Sequence, residues 1–280
     1  IIHGFHAYQF QQFVKKLPYS PKSYVITMTG TDLNKDLFLA KRRDDVIRTV
    51  TEASSVIVLE ERAKRIIIEQ IPNSANKIFV IPQGVSQFKH FKSKYIKEEG
   101  TFLFLLPAGL RKIKNITGAI AMLQSVKKAH PHIRLWIVGP IIEFGEAERV
   151  KQMVEQNSDW VQYLGHIPHE EMGALYKQSD VVLNTSYSEG QPSAILEAMS
   201  LEIPPIVSNN NGNQSIVIHE ETGLIYQSET EFAKYAQALI RNPQLRKNLG
   251  KQGKLYVNHH HSLTQEVRKL LSVYNSFNIL

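Results

Sequence analysis

The chain has no cysteine. That excludes disulfides, thiolate metal sites and a cysteine nucleophile, and it fits a reducing, cytoplasmic setting. It has no apolar run near the roughly 18–20 residues that span a bilayer. The longest, Thr101 to Ala108, has the length of one strand. No Gly-x-Gly occurs, so the dinucleotide fingerprint fails, and no Gly-x-x-x-x-Gly-Lys is present to form a P-loop. The aspartates are Asp32, Asp36, Asp44, Asp45, Asp159 and Asp180, with no Asp-x-Asp pair of the kind that holds a divalent cation on a diphosphate. His169-Glu170-Glu171-Met172-Gly173 starts like a zinc-protease helix but lacks the second histidine. His259-His260-His261 has no acidic ligands beside it and reads as a solvated helix end. No metal and no other cofactor is expected.

What is present is ordinary globular material. The 280 residues are 42% apolar and 21% charged, which excludes a disordered tail or a collagen-like repeat and fits two domains. Thirty-three Lys and Arg against 26 Asp and Glu leave a formal charge of +7. Such an excess favours a phosphate-bearing substrate, an acidic membrane face or nucleic acid, unless it is simply a basic soluble surface.

Short apolar runs alternate with amphipathic stretches. Tyr24–Met28, Ser55–Leu59 and Lys77–Ile81 read as strands, with helices near Arg42–Val50 and Glu60–Gln70 between them. This β-α order predicts a parallel sheet with right-handed connections. Phe88 to Gly100 breaks the pattern. It is basic and aromatic without core periodicity, and it reads as an interdomain linker or, less favoured, a patch for lipid or nucleic acid. A second series follows, with strands at Phe102–Leu106, Ile133–Val138, Val161–Leu164, Val181–Asn184 and Ile206-Val207. Helices lie between them near Asn115–Ala129, Glu146–Asn157, Glu170–Gln178 and Pro192–Leu201. The tail is helical over Glu229–Arg241, Pro243–Asn258 and Ser262–Phe277. The expected architecture is α/β, two doubly wound, Rossmann-like parallel-sheet domains facing a cleft. The expected domains are residues 1–92, residues 93–261, and a last helix over 262–280 packing back on the first. The chain opens Ile1-Ile2-His3-Gly4 without Met, as though in mid-strand, so a truncated first domain is expected.

Two segments carry chemistry. Ser188-Glu189-Gly190-Gln191-Pro192-Ser193 follows the strand Val181–Asn184 and opens a helix, with Pro192 suited to its first position. Gly190 admits close backbone approach, and the free N–H groups of the first turn favour anionic or hydroxyl-rich groups. Glu197 lies five residues beyond Pro192, about 7.5 Å along the helix. Beside Ile195, Leu196 and Met199, an acid there needs a partner. The second segment is Pro107-Ala108-Gly109-Leu110-Arg111-Lys112-Ile113-Lys114-Asn115, directly after the strand Phe102–Leu106. Three cations within four residues at a strand's carboxyl end suit a diphosphate.

Together these segments resemble the GT-B glycosyltransferases of the retaining, GT4-type class, the glycosyltransferases group 1. That class carries a Glu-x7-Glu element, matched by Glu189 and Glu197, and an Arg…Lys pair after the first strand of the donor domain, matched by Arg111 and Lys114. Ile81-Pro82-Gln83-Gly84-Val85, Ile137-Val138-Gly139-Pro140, Leu164-Gly165-His166-Ile167 and Glu221-Thr222-Gly223-Leu224 agree, in family order. Thr29-Gly30-Thr31-Asp32-Leu33-Asn34, Ala108-Gly109-Leu110-Arg111 and Gly212-Asn213 resemble one branch of that class more narrowly.

The resemblance implies a retaining, metal-independent transferase, with a nucleotide-diphosphate sugar, UDP-linked, as co-substrate. Arg111 and Lys114 would neutralise the diphosphate and Glu189 would bind the transferred sugar. Glu197 would accept hydrogen bonds from the ribose, with Gly190, Gln191, Pro192 and Ser193 offering backbone contacts. Gly139 and the His166-Ile167 segment would lie on the donor side, the latter near the base. Acceptor-side candidates are His6, Thr29, Gly30, Thr31 and Asp32. Thr29 stands where many relatives carry histidine, which puts the usual sugar contact there in doubt. The family's frequent glutamate after Gly212-Asn213 is replaced by Gln214 and Ser215. Two other readings are weighed: a sugar-nucleotide enzyme of other chemistry, such as an epimerase or phosphorylase, and a non-catalytic anion binder. Nucleic acid is not an expected partner, and peripheral membrane contact through the basic segments stays open.

Overall fold

A computed structural model describes residues 1–88 and 92–276. The chain divides into two compact units. The first comprises Ile1–Gly84, Ser188–Gln191 and His260–Leu280, and the second Val85–Tyr187 and Pro192–His259.

The first unit runs β1 (Ile2–Phe5), α1 (Ala7–Val14), β2 (Tyr24–Thr27), α2 (Thr31–Asn34), α3 (Ala40–Glu52), β3 (Ser55–Val58), α4 (Glu61–Gln70) and β4 (Ile78–Val80). Its four strands are parallel in the order β1-β2-β3-β4. Successive strand residues face opposite sides. Tyr24, Ile26, Val56 and Val58 therefore meet Val46, Val50, Ala63 and Ile67 of the helices on one face. On the other face Val25, Ile57 and Ile81 pack with Val273 from the chain's last described helix.

The second unit runs β5 (Phe102–Pro107), α5 (Ile116–Ala129), β6 (Ile133–Val138), α6 (Phe144–Gln156), β7 (Val161–Tyr163), α7 (His169–Gln178) and β8 (Val181–Asn184). It continues through α8 (Ser193–Ser200), β9 (Pro205–Ser208), α9 (Asn211–Gln214), β10 (Leu224–Tyr226), α10 (Glu229–Arg241) and α11 (Pro243–His260). The last helix, α12 (Leu263–Asn275), returns to the first unit. The six strands are parallel in the order β10-β9-β8-β5-β6-β7. Phe104 and Leu106 point into one core with α5, α6 and α10, while Leu103 and Leu105 point into another with α7 and α8. A sheet covered on both faces explains why its strands read as continuous apolar runs rather than alternating ones.

The boundary differs from the one expected at residue 92. Val85, Phe88 and Tyr95 pack on the second unit's core, and the Tyr95 hydroxyl donates to Leu164 O at 3.1 Å. Lys97 is ion-paired with Asp180 at 2.5 Å, and its backbone N–H donates to Gln178 Oε1 at 2.8 Å. The described part of the stretch read as a linker is thus a strap on the second unit, because Phe88 and Tyr95 are half-buried against its core rather than solvated. The expected basic patch falls partly on residues 89–91, which lie outside the described residues, as does the expected helix end at Phe277. Among the described residues no helix is long and apolar enough to cross a membrane.

Candidate functional site

In the second unit the chain moves from β5 outward to β7, then restarts at β8 on the other side of β5. The loops after β5 and β8 leave in opposite directions, and this switch point is where open α/β sheets bind ligands, at the strands' carboxyl ends. The loop after β5 carries Arg111, Lys112 and Lys114. The loop after β8 carries Thr185 to Tyr187 and continues to α8.

The two loops are tied together. Thr185 Oγ1 donates to the carbonyls of Lys114 (3.0 Å) and Asn115 (3.1 Å). Tyr187 N–H donates to Ile113 O at 2.9 Å, and its hydroxyl to Asn115 Oδ1 at 3.0 Å. Asn115 is left-handed (φ 49°), which turns the chain sharply into α5. Lys112 is exposed, and its backbone N–H is held by Glu143 Oε2 at 2.9 Å. Arg111 is half-buried, and its Nε is buried with no hydrogen-bond partner among the described residues. A buried guanidinium N–H without an acceptor is costly. An anion seated there would satisfy it, and a charge pair at about 4 Å is worth roughly 4 kcal/mol at an effective dielectric near 20.

α8 begins at Ser193, with Pro192 one residue earlier than expected, at the N-cap, and no side chain caps the helix. Its first turn therefore presents backbone donors at the same end of the sheet. Glu197, one turn in, has the partners its apolar neighbours demand. Oε2 accepts from the Tyr176 hydroxyl at 2.8 Å, and Oε1 lies 2.9 Å from His169 Nε2. Tyr176 is fully buried, and burial, followed by the nearby Glu197 charge, pushes its hydroxyl well above the usual phenol range, so it stays a neutral donor. The carboxylate is held in place with lone pairs to spare. In the sequence His169 stands out only as the start of an incomplete metal motif, and Tyr176 is not singled out. The apolar surroundings of Glu197 signalled a partner without naming it, because both come from α7.

The ends of β6 and β7 are stitched to this site. Gly139 N–H donates to Gly165 O at 2.9 Å, the Tyr163 hydroxyl donates to Gly139 O at 2.7 Å, and Leu110 N–H donates to Pro140 O at 2.8 Å. His166 is exposed there. The Ile167 side chain is not available to a base: it is 8% exposed and belongs to the core, leaving only its backbone to make such a contact.

Glu189, Gly190 and Gln191 group with the first unit, where they meet the acceptor-side candidates. Gly30 (φ 131°) and Gly190 approach so closely that a Cβ on Gly190 would sit 1.9 Å from Thr29 O. Asn34 Nδ2 donates to Glu189 O at 3.2 Å, and Gln83 N–H donates to Gln191 Oε1 at 2.9 Å. Thr29 is half-buried and Thr31 exposed beside this contact. Asp32 is a correction to the candidate set. It is fully buried, and its carboxylate accepts backbone N–H bonds from Ala7 (2.9 Å), Thr29 (3.0 Å), Gly30 (2.9 Å) and Leu33 (3.1 Å). It shapes the loop and presents no open carboxylate. His6 caps α1 with φ 65°, and its Nε2 lies 3.8 Å from the buried Asp36, to which Arg42 also donates at 2.9 Å. Asp36 was not foreseen.

Two parallel-sheet α/β units in series, with cations at the switch point of the second, fit the GT-B fold of glycosyltransferases. The chain belongs to the glycosyl transferases group 1 family, whose model matches residues 87–256. It is 30% identical over 243 residues to a protein of Xenopus tropicalis named Glycosyltransferase 1 domain-containing protein 1, an alignment covering 83% of this chain and 70% of that protein. Among solved structures, sucrose-phosphate synthase from Thermosynechococcus elongatus superposes with a TM-score of 0.81 at 20% identity, over 99% of this chain and 73% of that one. Anabaena Alr3699/HepE, solved in complex with UDP, does so with a TM-score of 0.76 at 17% identity, over 91% and 72%.

Proposed function

We propose that this protein moves a sugar from a UDP-linked donor to an acceptor hydroxyl, with retention at the anomeric carbon and without a metal ion. The observation that carries the reading is the tie between the two switch-point loops, which holds Arg111 and Lys114 at the end of the sheet where α8 begins. A UDP complex of the Anabaena relative supports the choice of donor.

As the bond from the anomeric carbon to the diphosphate oxygen breaks, negative charge builds on the diphosphate. Arg111, Lys114 and the α8 N-terminus are positioned before that charge appears, so they stabilise the transition state more than the ground state. The two side chains supply the charge that a divalent cation supplies in other transferases. The acceptor oxygen attacks from the face the diphosphate leaves, forming the new carbon–oxygen bond, and its proton passes to a diphosphate oxygen. Glu197, steadied by Tyr176 and His169, accepts the ribose hydroxyls. Glu189 accepts hydroxyls of the sugar, with Gly190, Gln191, Pro192 and Ser193 giving backbone contacts. Gly139 and His166 flank the nucleoside.

Isothermal calorimetry with UDP tests this. Lys114→Ala and Glu197→Ala should each weaken binding by about 1.5–3 kcal/mol, roughly 10- to 150-fold, the scale of a lost charged hydrogen bond. Unchanged UDP affinity in both variants would overturn the assignment.

A further inference from the structure

The first unit contains a cavity of about 420 Å³ at the carboxyl ends of its strands, closed on one side by α12. We infer that this cavity receives the body of the acceptor, and that the acceptor is an uncharged alcohol with an apolar portion. The inference rests on the sugar-transfer reading above and adds the substrate class to it.

The walls state the chemistry. Phe5, Ile57, Leu59, Ile81 and Leu270 supply apolar surface, and a pocket of this size with such walls and a few convergent polar groups is the usual form of a small-molecule site. Glu266 apart, the polar side chains are neutral: the hydroxyls of Thr27, Thr29 and Tyr274, the amides of Gln83 and Gln191, and one imidazole. His3 Nδ1 lies 2.5 Å from the Tyr274 hydroxyl and Nε2 lies 2.8 Å from Thr27 Oγ1, so the ring bridges α12 and β2. Burial lowers the His3 pKa, which keeps the ring uncharged at neutral pH.

Glu266 carries the one formal charge in the lining, and its Oε2 already accepts the Gly84 N–H at 2.9 Å. No Lys or Arg lines the cavity among the described residues. A chain with a net charge of +7 has thus left this cavity without a cation. A phosphorylated acceptor would lose its hydration here with no cation to offset the loss, and it would face the Glu266 carboxylate. An uncharged alcohol would bury its apolar part and find hydrogen-bonding partners. At one end the cavity reaches Thr29 and Gln191, and Gln191 is two residues from Glu189, the group assigned to the sugar. A hydroxyl at that end would lie beside the segment that carries Glu189.

The test uses the whole protein, with n-octyl β-D-glucoside as the uncharged probe and n-octyl phosphate as the anionic one, each below its micelle concentration, by calorimetry without nucleotide. The glucoside should bind saturably and at least tenfold tighter than the phosphate. Leu270→Trp, which fills the cavity from α12, should weaken glucoside binding at least tenfold while UDP affinity stays within twofold; Leu270→Phe gives the same test at lower risk to folding. Glu266→Gln should narrow the gap between the probes by improving the phosphate. Tighter binding of octyl phosphate than of the glucoside, or glucoside binding indifferent to both Leu270 variants, overturns the inference. Absence of UDP binding with glucoside binding intact would overturn the sugar-transfer reading, and the acceptor role with it, while showing that the cavity takes an uncharged, partly apolar ligand.

Discussion

At the carboxyl end of its sheet the second unit presents Arg111, Lys112 and Lys114, while the first presents Thr27, Thr29 and His3 beside a single acid, Glu266. The two ends are also held differently. In the second unit side chains do much of the holding: Thr185 and Tyr187 tie one loop to the other, and Tyr176 and His169 on α7 hold Glu197 on α8. In the first, a loop is fixed by backbone contact between Gly30 and Gly190 and by one buried carboxylate, Asp32, under four backbone N–H groups. A net charge of +7 therefore says little about any one site. Three cations cluster on one loop of the second unit, and the cavity at the first unit's sheet end has none among the described residues.

The contrast can be broken at three points. Gly190→Ala should have the largest effect, because its methyl group would overlap Thr29 O. Overpacking of this kind costs about 1–3 kcal/mol. Urea denaturation should register the loss, and hydrogen exchange should quicken over residues 29–34. Unaltered exchange over 29–34 would mean the loop is fixed by something else. Tyr176→Phe comes next, removing one of two partners from Glu197 at a cost of about 1 kcal/mol. Urea denaturation should show that loss together with a few-fold weaker UDP binding, whereas full UDP affinity would show that His169 alone suffices to orient the carboxylate.

The smallest effect is on pH. His3 and His261, both in the first unit, have pKa values lowered by burial, and in the second unit His130 is lowered for the same reason. A histidine whose folded pKa lies below its unfolded value of about 6.5 binds fewer protons folded than unfolded. Its contribution is complete above that unfolded value and is lost as the pH falls from there through the folded one. Acidification from pH about 7 to about 5 should therefore weaken protection from hydrogen exchange first in the first unit, where two such histidines lie. Earlier loss in the second unit would contradict this ordering.

Much of the second unit was readable because its strands are buried on both faces and its helices are long. Phe102–Leu106, Ile133–Val138 and Val181–Asn184 were located to within a residue. The three-residue β10 went unseen beneath the Thr222-Gly223 turn. α1 was also missed: Tyr8-Gln9-Phe10-Gln11 alternates as a strand would, and its first turn has no acid to mark a helix start. The places of Arg111 and Lys114 after β5 and of Glu197 in α8 were legible in the sequence, while their roles rest on the proposal above. The partners of Glu197, the burial of Asp32 and the pairing of Asp36 with Arg42 were not, since each depends on residues brought together from separate elements.

α12 has a consequence for biosynthesis. Val25, Ile57 and Ile81 pack with Val273, which the ribosome adds almost two hundred residues after Ile81. At about 5–20 residues per second, that interval is on the order of 10–40 s. For its duration the nascent first sheet has one oily side without the helix that finally shields it, so a cell making this protein must tolerate, or chaperone, an unfinished first unit until α12 has been made.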